Sequence, residues 1–291
     1  MQKTTRLKKI SFIFGFLITY MAPGQDSFQK TYDFLQHLDK IEAYKEGIFF
    51  IEKSIIKYDG TKRDTLNYLS GHFNYSIKNI NESIQSFKKV EEQSNSLFIR
   101  SQFFIGFQYA YLRKYDSAKV LGTLNVNNDS FLNELKSVEL ASISLLERDF
   151  ESFYTYSQNF SGSYYQLTNT EERLKLNKEG LLKAKKKSPA LAGVLSGVLP
   201  GAGKFYVGKS GEGYLTLLLS TIMGLQLREA YKKDGINSTR FKIYSGLFGA
   251  IYVANIWGSV LSVKIYKKEI NETYDEAILL NMHVPLRTIF D

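Results

Sequence analysis

The sequence predicts an all-α chain: a helical-repeat solenoid followed by a small α-helical membrane unit. Three observations point there. Proline is scarce, 4 in 291 residues, which favours helices over a turn-rich β fold. Small and apolar residues recur every 35 positions through the first half of the chain, Gly71, Gly106 and Ala141 at one position and Ile80, Tyr115 and Phe150 at another. Three apolar segments, 190–207, 213–227 and 244–263, crowd the last third of the chain, each with small residues at every fourth position. That spacing puts small side chains on one helix face, where helix backbones approach closely in lipid.

The elements follow in order. Residues 1–24 read as a signal peptide: MQKTTRLKK is a basic start, ISFIFGFLITYM an apolar run, and Ala22-Pro23-Gly24 supplies small residues for cleavage. Left uncleaved, the same segment would act as an anchor; either way the body is exported. Residues 25–187 form the expected helical-repeat domain. A 35-residue period is that of a helix–turn–helix unit, which cannot bury its apolar face alone and stacks on its neighbours. The small residue of the first helix admits the second helix closely, and Ile80, Tyr115 and Phe150 each start that second helix. A weaker copy upstream, around Tyr44-Lys-Glu-Gly47, slips by one residue. A helix from about Thr170 to Lys187 closes the domain, with Glu171 and Glu172 at its start and lysines at its end, as the helix dipole favours. Ser188-Pro189 stops it.

Residues 188–268 are the expected membrane domain. The last apolar segment has 20 residues without charge, about 30 Å of helix and enough to cross a bilayer core. Pro200, Gly201 and Gly203 break the first segment, which is too short to cross alone and suits a re-entrant or interfacial piece with its open backbone buried in protein. Phe205 and Tyr206 suit the headgroup level. Glu212 and Arg228 should bound the short second segment near opposite surfaces. Asn255 lies mid-span and needs a partner: Ser220, Thr221 or a carbonyl near Pro200. The row Gly246, Ala250, Ala254, Gly258 and Ser262 is the expected packed face, with Val260 off it. Residues 269–291 read as an acidic tail.

Two resemblances follow from these residues. Gly106, Tyr109 and Ala118 match the spacing of tetratricopeptide repeats, which the region 27–160 resembles; Asn74 and Phe153 depart from the pattern in other copies. The run Pro200, Gly201, Gly203, Phe205, Tyr206 and Gly208, with Asn255-Ile-Trp257-Gly258 in the second half, is similar to a bacterial two-transmembrane-type domain with a Pro-Gly-x-Gly-x-Phe-Tyr-x-Gly core, where Gln often stands at the position of Lys204. The resemblance implies a bacterial envelope protein and brings no activity with it.

Composition narrows the chemistry. The net charge of +9 concentrates at 183–268, leaving the repeat domain near neutral. Such a distribution suits anionic lipid headgroups and not nucleic acid, which calls for a basic stripe on the soluble domain. There are no cysteines, hence no disulfides or thiolate metal sites. The GAGK at 201–204 is no phosphate loop, because Val198 and Phe205 stand where glycine and a hydroxyl residue are needed. His37, His72 and His283 are scattered, and Asp33 with His37 is an ordinary surface pair. No catalytic residue, cofactor or metal site is expected.

The expected protein is a non-enzymatic adaptor or scaffold. Its helical-repeat domain lies in the periplasm and binds a protein or peptide, and the C-terminal unit anchors it in membrane lipids of the bacterial inner membrane. Two crossings leave the basic loop 228–242 in the cytoplasm, as the positive-inside tendency requires, though Lys185, Lys186 and Lys187 then face outward against it. A subunit or regulatory cap of an oligomeric transport assembly is the competing expectation, with the membrane unit forming the homo-oligomer.

Overall fold

The computed structural model describes residues 27–126 and 129–290; the expected signal peptide lies outside them. Among the described residues the chain is all-α, about 85% helical with no strand. It divides into two compact units. One runs up to Ile143 and resumes at Leu286, and the other is Ser144–Pro285. The division falls inside the stretch 25–187 that was expected to form one domain.

The first unit contains α1 (Ser27–Lys40), α2 (Tyr44–Ser54), α3 (Gly60–Ser76), α4 (Ile80–Phe87), α5 (Asn95–Tyr111) and α6 (Tyr115–Ala118), and α7 (Ser130–Glu147) leads out of it. The buried residues of α1, Thr31, Phe34, Leu35 and Leu38, fall three and four apart and so share one face. Phe34, Leu35 and Leu38 join Ile51, Leu66 and Phe73 in one core cluster. Further along, the Phe87 and Phe104 rings stack 5.4 Å apart. Glycines admit the close crossings. A Cβ on Gly71 would lie 2.6 Å from the Phe87 ring, and one on Gly47 would strike the Phe73 ring. Gly106 faces Leu121 more loosely, at 3.4 Å.

The 35-residue period is written in the backbone as well as in the side chains. The helices that begin at Tyr44, Ile80, Tyr115 and Phe150 each follow a residue with positive φ: Glu42, Lys78, Arg113 and Arg148. All four turns use the same pair of bonds. Next to Lys78, the Asn79 N–H donates to the Asn74 carbonyl at 2.8 Å and the Lys78 N–H to the Tyr75 carbonyl at 2.9 Å. The corresponding bonds are Ala43 to Leu38, Lys114 to Tyr109 and Asp149 to Ser144, each 2.8 Å. This is the Schellman arrangement, which satisfies the last carbonyls of a helix and normally places glycine at the left-handed position.

The second unit contains α8 (Phe150–Ser157), α9 (Tyr165–Lys186), α10 (Pro189–Val198), α11 (Ala202–Tyr206), α12 (Ser210–Asp234) and most of α13 (Thr239–Phe290). The Asp149 carboxylate caps α8 by accepting from the Ser152 N–H at 3.0 Å. Helix α9 starts five residues before the expected Thr170 and ends on Lys183, Lys185 and Lys186. Pro189 then opens α10, with the Ser188 hydroxyl accepting from the Leu191 N–H. Residues 269–290 of the expected acidic tail are the end of α13, which runs for 52 residues in all. The reason is apolar anchoring at helical spacing, since Ile278 and Met282 are fully buried. Arg148 adds to it, donating to Asp275 at 2.7 Å and to the Asn271 side chain at 3.1 Å. Gly180 of α9 lies directly against the Tyr274 hydroxyl.

Candidate functional site

The site that the sequence singled out is the break between α10 and α12. An α-helix that stops leaves its last carbonyls without N–H partners. Here Pro200 has no N–H to give the Ser196 carbonyl four residues earlier. The Gly201 N–H, which a continuing helix would give to Gly197, is turned away, because Gly201 has φ of +86°. Side chains of α13 fill both gaps. Asn255 donates Nδ2–H to the Ser196 carbonyl at 3.0 Å and accepts the Gly201 N–H on Oδ1 at 3.0 Å. The Tyr252 hydroxyl donates to the Gly197 carbonyl at 2.5 Å. Of the partners open to Asn255, it takes a carbonyl near Pro200; the buried Ser220 hydroxyl has no partner.

A second set of bonds closes the start of α11. The Gly203 N–H donates to the Ser196 hydroxyl at 2.8 Å, and Ser196 and Ser259 share a hydrogen bond at 2.7 Å. Gly203 must be glycine: a Cβ there would strike the Ala192 carbonyl and stand 2.7 Å from Ser196 Oγ and Ser259 Cβ. A Cβ on Gly201 would strike the Gly213 carbonyl, and one on Gly213 would lie 2.8 Å from the Phe205 ring. Phe205 also meets Tyr214 edge-on at 4.9 Å. The Tyr206 hydroxyl accepts the Ser188 N–H at 3.1 Å, and its carbonyl accepts from Lys187 Nζ at 2.7 Å. Gly208 turns the chain toward α12 with φ of +84°. Pro200, Gly201, Gly203, Phe205, Tyr206, Gly208 and Asn255 thus belong to one structure, and each has a structural task.

Gly258 does not share it. Open space surrounds Gly258 and Gly246. The buried side of α13 is Asn255, Ser259 and Val263, with Ser262 the one member of the small-residue row that joins it. Val260, expected to lie off the packed face, sits 3.0 Å from where a Gly193 Cβ would be. The physical reason is the polar break: α13 turns its hydrogen-bonding side chains toward the open backbone of α10, one residue round from the small-residue row. Glu212, expected at a surface, lies beside the Gly201–Gly213 contact, 3.7 Å from Lys204 and 3.9 Å from Lys209.

The contacts also order the helices along α13. Residues 252–263 meet α10 through Tyr252, Asn255, Ser259 and Val260. Lower on α13, Phe248 is 3.6 Å from where a Gly224 Cβ would be, and the rings of Phe241 and Tyr231 are 5.8 Å apart. Helices α10 and α12 therefore run beside successive stretches of α13, and their junction lies at Asn255. Around this polar centre the exterior is apolar: Val194, Val198, Leu218, Ile222, Val253 and Trp257 are all exposed. Helix α13 is long and apolar enough to cross a membrane by length and composition, and only 22% of its apolar window is buried.

The first unit offers two further features. A cleft of about 480 Å³ opens between α2, α3 and α4, lined by Lys45, Ile48, Asn67, Ser70, Asn74 and Lys89. Asn67 and Asn74 are tied down there, donating to the Lys89 and Ser70 carbonyls. On α7, the Glu139 carboxyl is fully buried with no hydrogen-bond partner among the described residues, and burial pushes its pKa well above the usual carboxylate range. Among the described residues no group of three or more His, Asp or Glu side chains could hold a metal ion. No family model, curated protein or solved structure matches this chain.

Proposed function

We propose that this chain is a non-enzymatic adaptor anchored in the bacterial inner membrane, with its repeat domain in the periplasm. The observation that carries the anchoring is the inverted distribution of polarity in 189–265. Ser196, Asn255 and Ser259 are buried, while Val194, Leu218 and Trp257 are exposed. In water such a unit would expose a large apolar surface that soluble monomers rarely carry. In lipid the same arrangement is favourable, because the open backbone at Pro200 is satisfied by protein and apolar side chains meet the acyl chains. The chain then crosses twice, through α12 and through α13, with α10 as a re-entrant piece packed against α13. The end of α12 and the start of α13, with Arg228, Lys232, Lys233, Arg240 and Lys242, lie on the cytoplasmic side.

The recurring helix starts and Schellman turns support a tetratricopeptide-like solenoid for α1 to α8. Its cleft beside α3 suits an extended segment of a partner protein, contacted by Lys45 and Lys89 and by the apolar wall at Ile48. The test uses the full chain in native membranes, with a photo-reactive residue at Ser86 in the cleft. A cross-linked protein at Ser86, lost in Lys45→Glu/Lys89→Glu, is the expected result. No cross-link beyond that formed from an exposed position outside the cleft, such as Glu42, would overturn the adaptor assignment.

A further inference from the structure

The end of α9 and the stretch 264–268 of α13 are some 80 residues apart in sequence, yet the fold places them side by side. Lys267 Nζ donates to the Lys185 carbonyl at 3.2 Å. Lys187 turns inward, donating to the Tyr206 carbonyl with its ammonium 4.4 Å from the Tyr206 ring centroid. These two lysines are used by the fold. Three others are not: Lys183, Lys186 and Lys264 are exposed and take no hydrogen bond or ion pair among the described residues. Lys264 directly follows Val263, which is buried with Ala192 and Val207 in a cluster that Tyr206 packs against, and the exposed apolar side chains of α10 begin at Leu191, five residues after Lys186.

We propose that this lysine collar is a docking surface for the headgroups of anionic glycerophospholipids, with the phosphate as the recognised group. The proposal rests on the membrane assignment above and adds lipid selectivity to it. Charge complementarity names the occupant, since the Lys267–Lys185 contact brings the lysine-bearing ends of two helices side by side and Lys183, Lys186 and Lys264 take no ion pair among the described residues. Continuity with the apolar exterior names its source. A headgroup whose acyl chains lie against Leu191 and Val194 presents its phosphate at the collar, whereas a soluble anion has no use for the apolar surface beneath. The collar also explains why lysines stand on this rim despite the positive-inside tendency: they hold lipid there instead of setting orientation.

Each lysine near an anionic surface contributes roughly fivefold to partitioning at low salt, so three contribute on the order of a hundredfold. The experiment mixes the full chain in neutral detergent with two vesicle types, phosphatidylcholine alone and phosphatidylcholine with phosphatidylglycerol. Flotation reports insertion, and native mass spectrometry of the re-extracted protein reports which lipid it retains. The wild type is expected to float with both and to retain phosphatidylglycerol preferentially. Lys183→Gln/Lys186→Gln/Lys264→Gln should float with both and lose most of that preference. Lys40→Gln/Lys57→Gln/Lys78→Gln, which removes the same charge from the other unit, should keep it. Flotation with both vesicles but no phosphatidylglycerol preference, or a preference that survives in the collar variant, overturns the lipid proposal alone. Failure to float with either vesicle overturns the membrane assignment, and the collar with it.

Discussion

Replacing Asn255 with leucine separates two opposite expectations. On hydropathy alone, Asn255→Leu improves a membrane helix and should stabilise the protein. On the observed geometry it removes two hydrogen bonds at once, leaving the Gly201 N–H and the Ser196 carbonyl buried without partners. Pro200 cannot serve that carbonyl, and Asn255 itself is only 5% exposed, so water has little access. A side-chain bond between membrane helices contributes about 0.6 kcal/mol on average and up to roughly 1.7, and an orphaned buried polar group costs about 1–3 kcal/mol. Two bonds together give a loss of about 1–3 kcal/mol. For a chain of this size, each kcal/mol lowers Tm by about 2–4 °C, so the midpoint should fall by roughly 2–12 °C. The assay is thermal unfolding of the full chain in mild detergent, followed by far-ultraviolet circular dichroism. Trp257→Leu, two residues away but 64% exposed, serves as the control and should change little. An Asn255→Leu protein as stable as wild type would show that the break at Pro200 is not held from α13.

Three further outcomes follow from the structure. Gly203→Ala should destabilise by about 1–3 kcal/mol because its Cβ meets the Ala192 carbonyl and Ser259, while Gly258→Ala, in open space, should be tolerated; thermal midpoints of the two decide between the observed face and the small-residue row. Lys78→Gly should stabilise by up to about 1 kcal/mol, because an exposed residue with φ of +63° is strained unless it is glycine, and an unchanged or lower denaturation midpoint would count against the turn geometry. Glu139 has a folded-state pKa raised by burial, so the folded state holds its proton more tightly than the unfolded chain and stability falls as pH rises above about 4.3, where an unfolded glutamate ionises, until the folded pKa is passed. Glu139→Gln should flatten that part of a stability–pH profile, and a slope identical to wild type would contradict it.

Much of the fold was legible because period and packing coincide. Gly71 and Gly106 are small where a second helix crosses, and Ile80, Tyr115 and Phe150 begin the helices that cross there. The turns between them were hidden. Lys78, Arg113 and Arg148 occupy positions where glycine normally signals the stop, so the residues that end the helices carry no sequence signal. The tail was misread for a related reason: Ile278, Met282 and Leu286 recur every fourth residue, but acids such as Glu272, Asp275 and Glu276 dominate the stretch in composition.

At the break, the motif residues were visible and their geometry was not. Proline and glycine announce an interrupted helix, and Asn255 announces a need for a partner. That the partner is the carbonyl Pro200 cannot serve follows from a residue count of four. The packed face was misassigned because spacing identifies small residues without saying whether they meet a helix or lipid. Gly258 and Ser259 are neighbours, and the Ser196 hydroxyl of α10 selects the one with a hydroxyl. Nothing in local sequence joins Lys185 to Lys267, since only the packing of α9 against α13 brings them together.

The membrane assignment stands or falls with the apolar exterior of 189–265 facing lipid, and Trp257, the single tryptophan of the chain, reports on it directly. It is exposed on α13, four residues from the centre of the uncharged stretch 243–263, or about 6 Å along the helix. The measurement is tryptophan fluorescence of the full chain in phosphatidylcholine bilayers, with bromine-labelled lipids on one side and aqueous iodide on the other. Strong quenching by bromines in the inner half of the acyl chains, with iodide ineffective, is the predicted result. Quenching by iodide, with brominated lipids ineffective, would place Trp257 in water and contradict the membrane assignment.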